Sequence, residues 1–403
     1  MTADETDYPV LDVPADGVPD VVADEHQLDT AAHAIGQGSG PVALDAERAS
    51  GYRYGQRAYL VQLRREGSGT WLVDPIACPD LTPLAEAIGE TEWVLHAATQ
   101  DLPCLSELGL HPANLFDTEL GARLAGLPKV GLAAVVEHYL GVTLAKEHSA
   151  VDWSSRPLPE PWLRYAALDV ELLVQARDLL REDLRQQGKL GWAEQEFAAL
   201  TSFTGPPPRK DPWRRTSGMH KVRGRRQAAF VRELWEARDE IARNRDTSPG
   251  RVLPDSALVE LAQRSPRGGS EFGDIRARGA RRYQRQWLAA LRRARSLPED
   301  ELPALTARGD GPPPVRVWSE REPVAAARLE QTRESLKLIS AENGVPVENL
   351  LTPDLLRRVL WEPPDDTSVA GFADTLTAQG ARAWQVEIVA PLLARAVAEH
   401  PAD

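Results

Sequence analysis

The stretch that decides the fold runs from Pro41 to Arg64, PVALDAERASGYRYGQRAYLVQLR. Its first seven residues read as an apolar strand that carries two acids, Asp45 and Glu47. Side chains alternate along a strand, so the two acids share one face. RAYLVQLR alternates as a second strand, Gly67 to Gly69 turns the chain, and TWLVD makes a third. DLTPLAEAIG then reads as a helix, EWVLHA as a fourth strand and QDLPCLSELG as another helix. A short helix, EHQLDTAAHAIGQ, ends at Gly38 before the first strand. After Phe116 the pattern is helical throughout, with no further strand expected. The class is therefore α/β at this end, a mixed sheet with flanking helices.

Outward from that core, two proline-rich breakers divide the chain, GPPPRKDP from Gly205 and ARGDGPPPVRVW from Ala307. The expected organisation is an acidic, disordered lead-in over 1–21, an α/β domain over 22–204 and a linker over 205–215. An all-α bundle over 216–298, a proline-rich linker over 299–322 and a second helical unit over 323–400 follow. A chain of 403 residues has room for several such cores. With 42% hydrophobic and 27% charged residues, it is neither a disordered nor a fibrous protein. Two cysteines without a CxxC pair argue against a disulfide scaffold or a zinc cluster. No stretch reaches the length of a membrane span and no leader pattern opens the chain, so a soluble, cytoplasmic protein is expected.

The net charge of −13 argues against a polyanionic partner when taken whole, but its distribution argues otherwise. Residues 201–300 hold 23 Lys and Arg against 12 Asp and Glu, whereas the first forty residues hold nine acids and no base. The segment 209–226, RKDPWRRTSGMHKVRGRR, has nine basic residues with His220 included, and Trp213 is interleaved. Such a segment can displace counterions from a phosphate backbone and stack a base. The same arginines could instead pair with Glu233, Glu236, Asp239 and Glu240 of the following helix.

The acids Asp45 and Glu47 gain meaning from their order with three other residues. Asp101 opens the helix after the fourth strand, and Asp169 follows Tyr165 by one helical turn, which puts those two on one face. Four carboxylates brought together raise one another's pKa, and hard divalent cations remove that penalty. Two such cations can clamp the attacking and leaving oxygens of a phosphodiester.

These motifs resemble the ribonuclease D family of DEDD-type exonucleases, in the subclass whose third motif carries tyrosine. The likeness rests on ALDAERASGYRYGQRAYLVQL, on VLHAATQDLPCL with Asp117 and Thr118 after it, and on GVTLAKEHSAVDWSSRPLPEPWLRYAALDVELL. The resemblance implies a ribonuclease H-like exonuclease domain, with Asp45, Glu47, Asp101 and Asp169 holding two Mg²⁺ or Mn²⁺ ions. It implies that Tyr165 helps orient or deprotonate the attacking water, and orientation is the expected role, since an unperturbed phenol is a poor base at neutral pH. Ala46 stands where many relatives carry threonine and faces away from the acids. His96 matches a recurring histidine, and a role in satisfying the strand end is expected of it. Lys146 and Arg156 are candidates for phosphate contact, or for ion pairs.

Residues 216–297 resemble the HRDC domain through DSALVELAQRSP and GARRYQRQWLAAL, and residues 323–397 resemble a second, more divergent HRDC-like unit. That likeness implies nucleic-acid binding by Arg214, Arg215, Lys221, Arg223, Arg225 and Arg226, while the acidic second unit packs or completes a ring. The implied activity is metal-dependent 3′-to-5′ hydrolysis of RNA to nucleoside 5′-monophosphates by a monomer. Single-stranded 3′ ends and tRNA precursors are the implied substrates, with no obligate protein partner. A 3′ DNA exonuclease of the Werner type and a non-catalytic RNA-binding scaffold are the alternatives.

Overall fold

The computed structural model describes residues 8–145, 151–268, 272, 275–305 and 311–401. Strands β1 (Val10–Leu11) and β2 (Val21–Val22) precede helix α1 (Glu25–Gln37), whose first turn is capped by the Asp24 carboxylate accepting from the Gln27 amide at 2.8 Å. Then come β3 (Ser39–Arg48), β4 (Ala58–Glu66), β5 (Gly69–Val73), α2 (Thr82–Ile88), β6 (Glu92–Leu95) and α3 (Leu102–Glu107). The unit continues with β7 (Asn114–Asp117), α4 (Thr118–Ala125), α5 (Leu132–Leu140), β8 (Thr143–Leu144), α6 (Glu160–Glu171), α7 (Leu173–Gln186) and α8 (Leu190–Leu200).

Six strands form the main sheet in the order β2-β5-β4-β3-β6-β7, with β3, β4 and β5 antiparallel and the outer neighbours parallel. The β4–β5 turn needs Gly67 and Gly69, both at positive φ (84° and 75°). Alternation along β3 divides the layers. Val42, Leu44 and Ala46 face α1, α2 and α3 in one core, while Ala43, Asp45 and Glu47 look toward α6 and α7. Ala46 thus faces away from the acids, as expected.

Four strands escaped the sequence reading. β1, β2 and β8 have two residues each, too few to carry a period. β7 lies in a stretch read as the start of a helix, because Asp117 is both its last residue and the N-cap of α4. The lead-in expected to be disordered through residue 21 is corrected for residues 8–21. There Val10 and Leu11 pair with Thr143 and Leu144, and the Ala15 amide donates to Glu171 at 3.2 Å.

The middle unit contains α9 (Gly224–Asn244), α10 (Pro249–Val252), α11 (Asp255–Arg264), α12 (Arg278–Arg282) and α13 (Gln284–Ser296). Its core includes Phe230, Leu258 and Trp287, and it also takes in Trp213, which the sequence had assigned to the linker. It docks on the loop between β3 and β4: the Tyr54 hydroxyl donates to Asp239 at 3.0 Å, the Ser248 amide to Tyr52 O at 3.0 Å, and Arg251 Nε to Gly51 O at 2.8 Å.

The last unit, α14 (Trp318–Arg321), α15 (Pro323–Asn343), α16 (Val347–Leu350), α17 (Pro353–Trp361), α18 (Val369–Ala378) and α19 (Ala383–Glu399), does not stand apart. Leu329, Leu336, Leu360 and Leu393 share one continuous core with Phe116, Leu124, Leu180 and Phe197 of the α/β unit. Trp192 stacks on Trp384 at 4.8 Å, and Gly126 approaches Gly344 so closely that a Cβ would sit 2.7 Å from its carbonyl oxygen. Among the described residues no helix is long and apolar enough to cross a membrane.

Candidate active site

The five residues singled out by the motifs converge. Asp45, Glu47, Asp101, Tyr165 and Asp169 line one cleft of ≈ 230 Å³ together with Arg48, His96, Gln100, Leu132 and Leu173. β3 supplies the first two acids. Asp101 N-caps α3 at the end of a tight turn over Ala98–Gln100, and α6 supplies Tyr165 and Asp169. One carboxylate oxygen each from Asp45, Glu47 and Asp169 lies within 4.8 Å of the others.

Asp101 is placed by a buried device that the sequence reading did not assign. The Asp117 carboxylate accepts from the amides of Ala97 (3.0 Å), Ala98 (2.9 Å), Glu119 (2.9 Å) and Leu120 (3.2 Å). It therefore caps α4 and also fixes the turn where Ala97 holds a positive φ of 59°, four residues before Asp101. The Asp-Thr pair after Phe116 was the only signal for it in the sequence.

Burial and mutual repulsion shape the electrostatics. Desolvation raises Asp45 to about 6. Desolvation and then neighbouring carboxylates hold Glu47, Asp101 and Asp169 well above the ordinary range. Burial pushes the Tyr165 phenol up as well, and Asp169, Glu47 and Asp45 add to the effect. Tyr165 hydrogen-bonds to the Asp169 carboxylate. Arg48, unremarked in the sequence although it adjoins Glu47, places a guanidinium nitrogen 3.3 Å from Asp101.

The donor set fits hard divalent cations. All four acids offer oxygen, and their raised pKa values express a demand for positive charge that Arg48, 3.3 Å from Asp101 and also acting on Asp45 and Glu47, meets only in part. Gln62 lies directly across from Asp45 in the β3–β4 register, is fully buried, and both polar atoms of its amide have no hydrogen-bond partner among the described residues.

Other candidates sit elsewhere. Of the two readings of Arg156 the structure shows the ion pair: its guanidinium makes a forked pair with Asp74 at 2.6 and 2.8 Å and donates to Tyr59 O at 2.8 Å, which pins the segment before α6 to the sheet. Trp213 is buried in the HRDC-like core and cannot stack a base. Arg214 bonds Asp211 and the Ala304 carbonyl, Arg225 bonds the Leu302 carbonyl, and Arg226 bonds the carbonyls of Ala294 and Leu297 at the end of α13. These three brace the bundle. Arg215, Lys221 and Arg223 are exposed. Lys146 lies outside the described residues. An exposed basic row that the sequence reading did not single out follows α12 and α13, with Arg278, Arg282, Arg285 and Arg292 about a helical turn or two apart. His96 meets its expected role at the strand end, with Nδ1 2.9 Å from the Thr118 hydroxyl.

Comparison with known proteins agrees with this layout. Residues 19–185 match a 3′-5′ exonuclease family model, 227–291 an HRDC domain model, and 311–397 a model described as the 3′ to 5′ exonuclease C-terminal domain. The last match gives the terminal unit its own family rather than a second HRDC assignment. The chain is 31% identical over 346 residues to ribonuclease D of Gluconacetobacter diazotrophicus, covering 83% of this chain and 85% of that one. It is 32% identical over 272 residues to the Escherichia coli enzyme, covering 65% and 71%. Among solved structures, a protein from Bifidobacterium adolescentis superposes with a TM-score of 0.87 at 39% identity, over 97% of this chain and 100% of that one. E. coli RNase D, an exoribonuclease involved in structured RNA processing, superposes with a TM-score of 0.69 at 26% identity, over 95% and 99%. With relatives matched over most of their length and motifs that meet in one cleft, the chain belongs to the ribonuclease D family.

Proposed function

We propose that this chain is a metal-dependent 3′-to-5′ exoribonuclease that releases nucleoside 5′-monophosphates, with Asp45, Glu47, Asp101 and Asp169 as ligands for two Mg²⁺ or Mn²⁺ ions. The observation that carries it is the convergence of these acids and Tyr165, from β3, the Asp101 turn and α6, in one cleft. Divalent cations bound there supply the positive charge that phosphodiester displacement needs at its attacking and leaving oxygens. The protein's own residues do the rest. Because the Tyr165 phenol keeps its proton and donates a hydrogen bond to Asp169, its oxygen retains lone pairs that can accept a hydrogen bond from the attacking water. Tyr165 therefore orients water and does not deprotonate it.

RNA is favoured over DNA because the ribonuclease D relatives extend across most of the chain. A non-catalytic scaffold is disfavoured because no member of the constellation is missing. The basic row of α12 and α13, with the exposed Arg215, Lys221 and Arg223, is the proposed backbone-binding surface. tRNA precursors and other structured small RNAs are the proposed substrates of a cytoplasmic monomer.

The test uses matched RNA and DNA oligonucleotides, labelled at either end, with Mg²⁺ or Mn²⁺. The expected result is immediate release of a 3′-terminal mononucleotide, one-step shortening of the 5′-labelled RNA, and slower DNA digestion. Asp169→Asn should abolish cleavage, and Tyr165→Phe should lower kcat with little change in KM. Internal cuts, or DNA digested as fast as RNA, would overturn the assignment.

A further inference from the structure

One polar group in the cleft remains unused by that chemistry. His96 directly follows β6 and lines the cleft with the four acids, and its side-chain hydrogen bond runs to Thr118. Its hydrogen-bond network fixes which nitrogen carries the proton. The Thr118 hydroxyl lies 2.9 Å from His96 Nδ1 and 3.2 Å from the Leu95 carbonyl oxygen. A carbonyl only accepts, so the single hydroxyl hydrogen goes to Leu95, and the hydroxyl oxygen receives the Nδ1 hydrogen. Burial lowers the imidazole to about 4, so the ring is neutral at physiological pH. Nε2 is then a bare acceptor on the edge of the ring away from Thr118.

That acceptor selects among the parts of a nucleotide. A phosphate oxygen has no hydrogen to give it and is repelled by its lone pair. A sugar hydroxyl can donate. Cations held by the carboxylates would draw the scissile phosphate into the same ≈ 230 Å³ cleft that His96 lines, which brings the attached ribose within reach of the histidine. We propose that His96 is a specificity-determining residue, its Nε2 accepting a hydrogen bond from the 2′-hydroxyl of the nucleotide held at the carboxylates. The inference rests on the exoribonuclease reading above. It gives that reading a physical basis for telling RNA from DNA, since the 2′-hydroxyl is the donor that DNA lacks. His96 holds this position because Thr118 and Asp117 tie it to the start of α4.

The experiment measures kcat/KM on two RNA oligonucleotides that differ only by a 2′-deoxy sugar at the 3′-terminal residue. The wild-type chain is compared with His96→Phe, which fills the space without an acceptor, and with His96→Gln, which can return one. One neutral hydrogen bond predicts a wild-type preference of roughly 3- to 10-fold for the ribose end. His96→Phe should bring the ratio to about one, mainly by slowing the ribose substrate, and His96→Gln should restore part of it. A purely structural histidine would slow both substrates in proportion. An unchanged ratio in His96→Phe overturns the proposal, as does a wild-type ratio of one, which needs no variant to fold. An effect that follows the identity of the terminal base and not its sugar overturns it too. If wild type degrades neither substrate with Mg²⁺ or Mn²⁺, the exoribonuclease reading itself has failed.

Discussion

Replacing Asp45 by Asn should stabilise the protein while abolishing its chemistry. In the folded chain without divalent cations, burial lifts the Asp45 carboxyl from an ordinary value of 3.8 to about 6. The folded state therefore holds a proton that the unfolded chain has lost, and stability falls as the pH rises from about 4 to about 6. Above that window the ionised carboxylate costs about 3 kcal/mol, a two-unit shift at 1.36 kcal/mol per unit. Asparagine has the same shape, its amide oxygen can accept the Ala46 backbone hydrogen bond, and it carries no charge to repel Glu47, Asp101 or Asp169. Thermal unfolding in EDTA at pH 7.5 should therefore show a Tm roughly 5–10 °C above wild type if the α/β unit melts cooperatively. The gain should shrink toward pH 4, where the wild-type carboxyl is itself protonated. Adding Mn²⁺ should raise the Tm of wild type at pH 7.5 and that of the variant far less. A variant no more stable than wild type in EDTA at pH 7.5, or one with the same gain at pH 4, would refute the account of a buried, charge-strained Asp45.

Two further outcomes separate binding from bracing. Replacing Arg278, Arg282 and Arg285 together by Ala should weaken single-stranded RNA binding and flatten its salt dependence without lowering Tm, whereas Arg226→Ala, which unties the end of α13, should lower Tm and leave the salt slope intact. Fluorescence anisotropy across a salt titration, paired with thermal melts, reads both. Asp117→Asn should cut kcat at least tenfold and destabilise the fold by roughly 1–3 kcal/mol, because an amide oriented to serve the Ala97 turn can no longer serve the α4 cap equally well. Steady-state kinetics with a denaturant titration would show it, and unchanged kcat would mean that the turn does not set Asp101.

Much of the site was legible because its signals are local. D-x-E on a strand must share a face, and Tyr165 and Asp169 one turn apart must do so too, whatever surrounds them. The breakers at Gly205 and Ala307 fall between the stretches 19–185, 227–291 and 311–397 that the family models match. The errors and the open readings arose where a residue's role depends on a partner far along the chain. Nothing near Arg156 announces Asp74, eighty-two residues earlier, and nothing near Arg226 announces the carbonyls that end α13. Charge density around residue 220 suggested a binding surface, yet Arg214, Arg225 and Arg226 are spent on the bundle itself.

By itself, then, the sequence determined the order of secondary structure around Asp45 and Glu47, the pairing of acids by face, and the unequal placement of charge. Only the tertiary structure decided which arginines stay at the surface, that Asp117 rather than a nearby residue sets Asp101, and that the terminal unit shares its core with the α/β unit. The physical reason is range. Backbone periodicity acts over a few residues, whereas desolvation and hydrogen-bond satisfaction are settled by whatever the fold brings within a few ångströms.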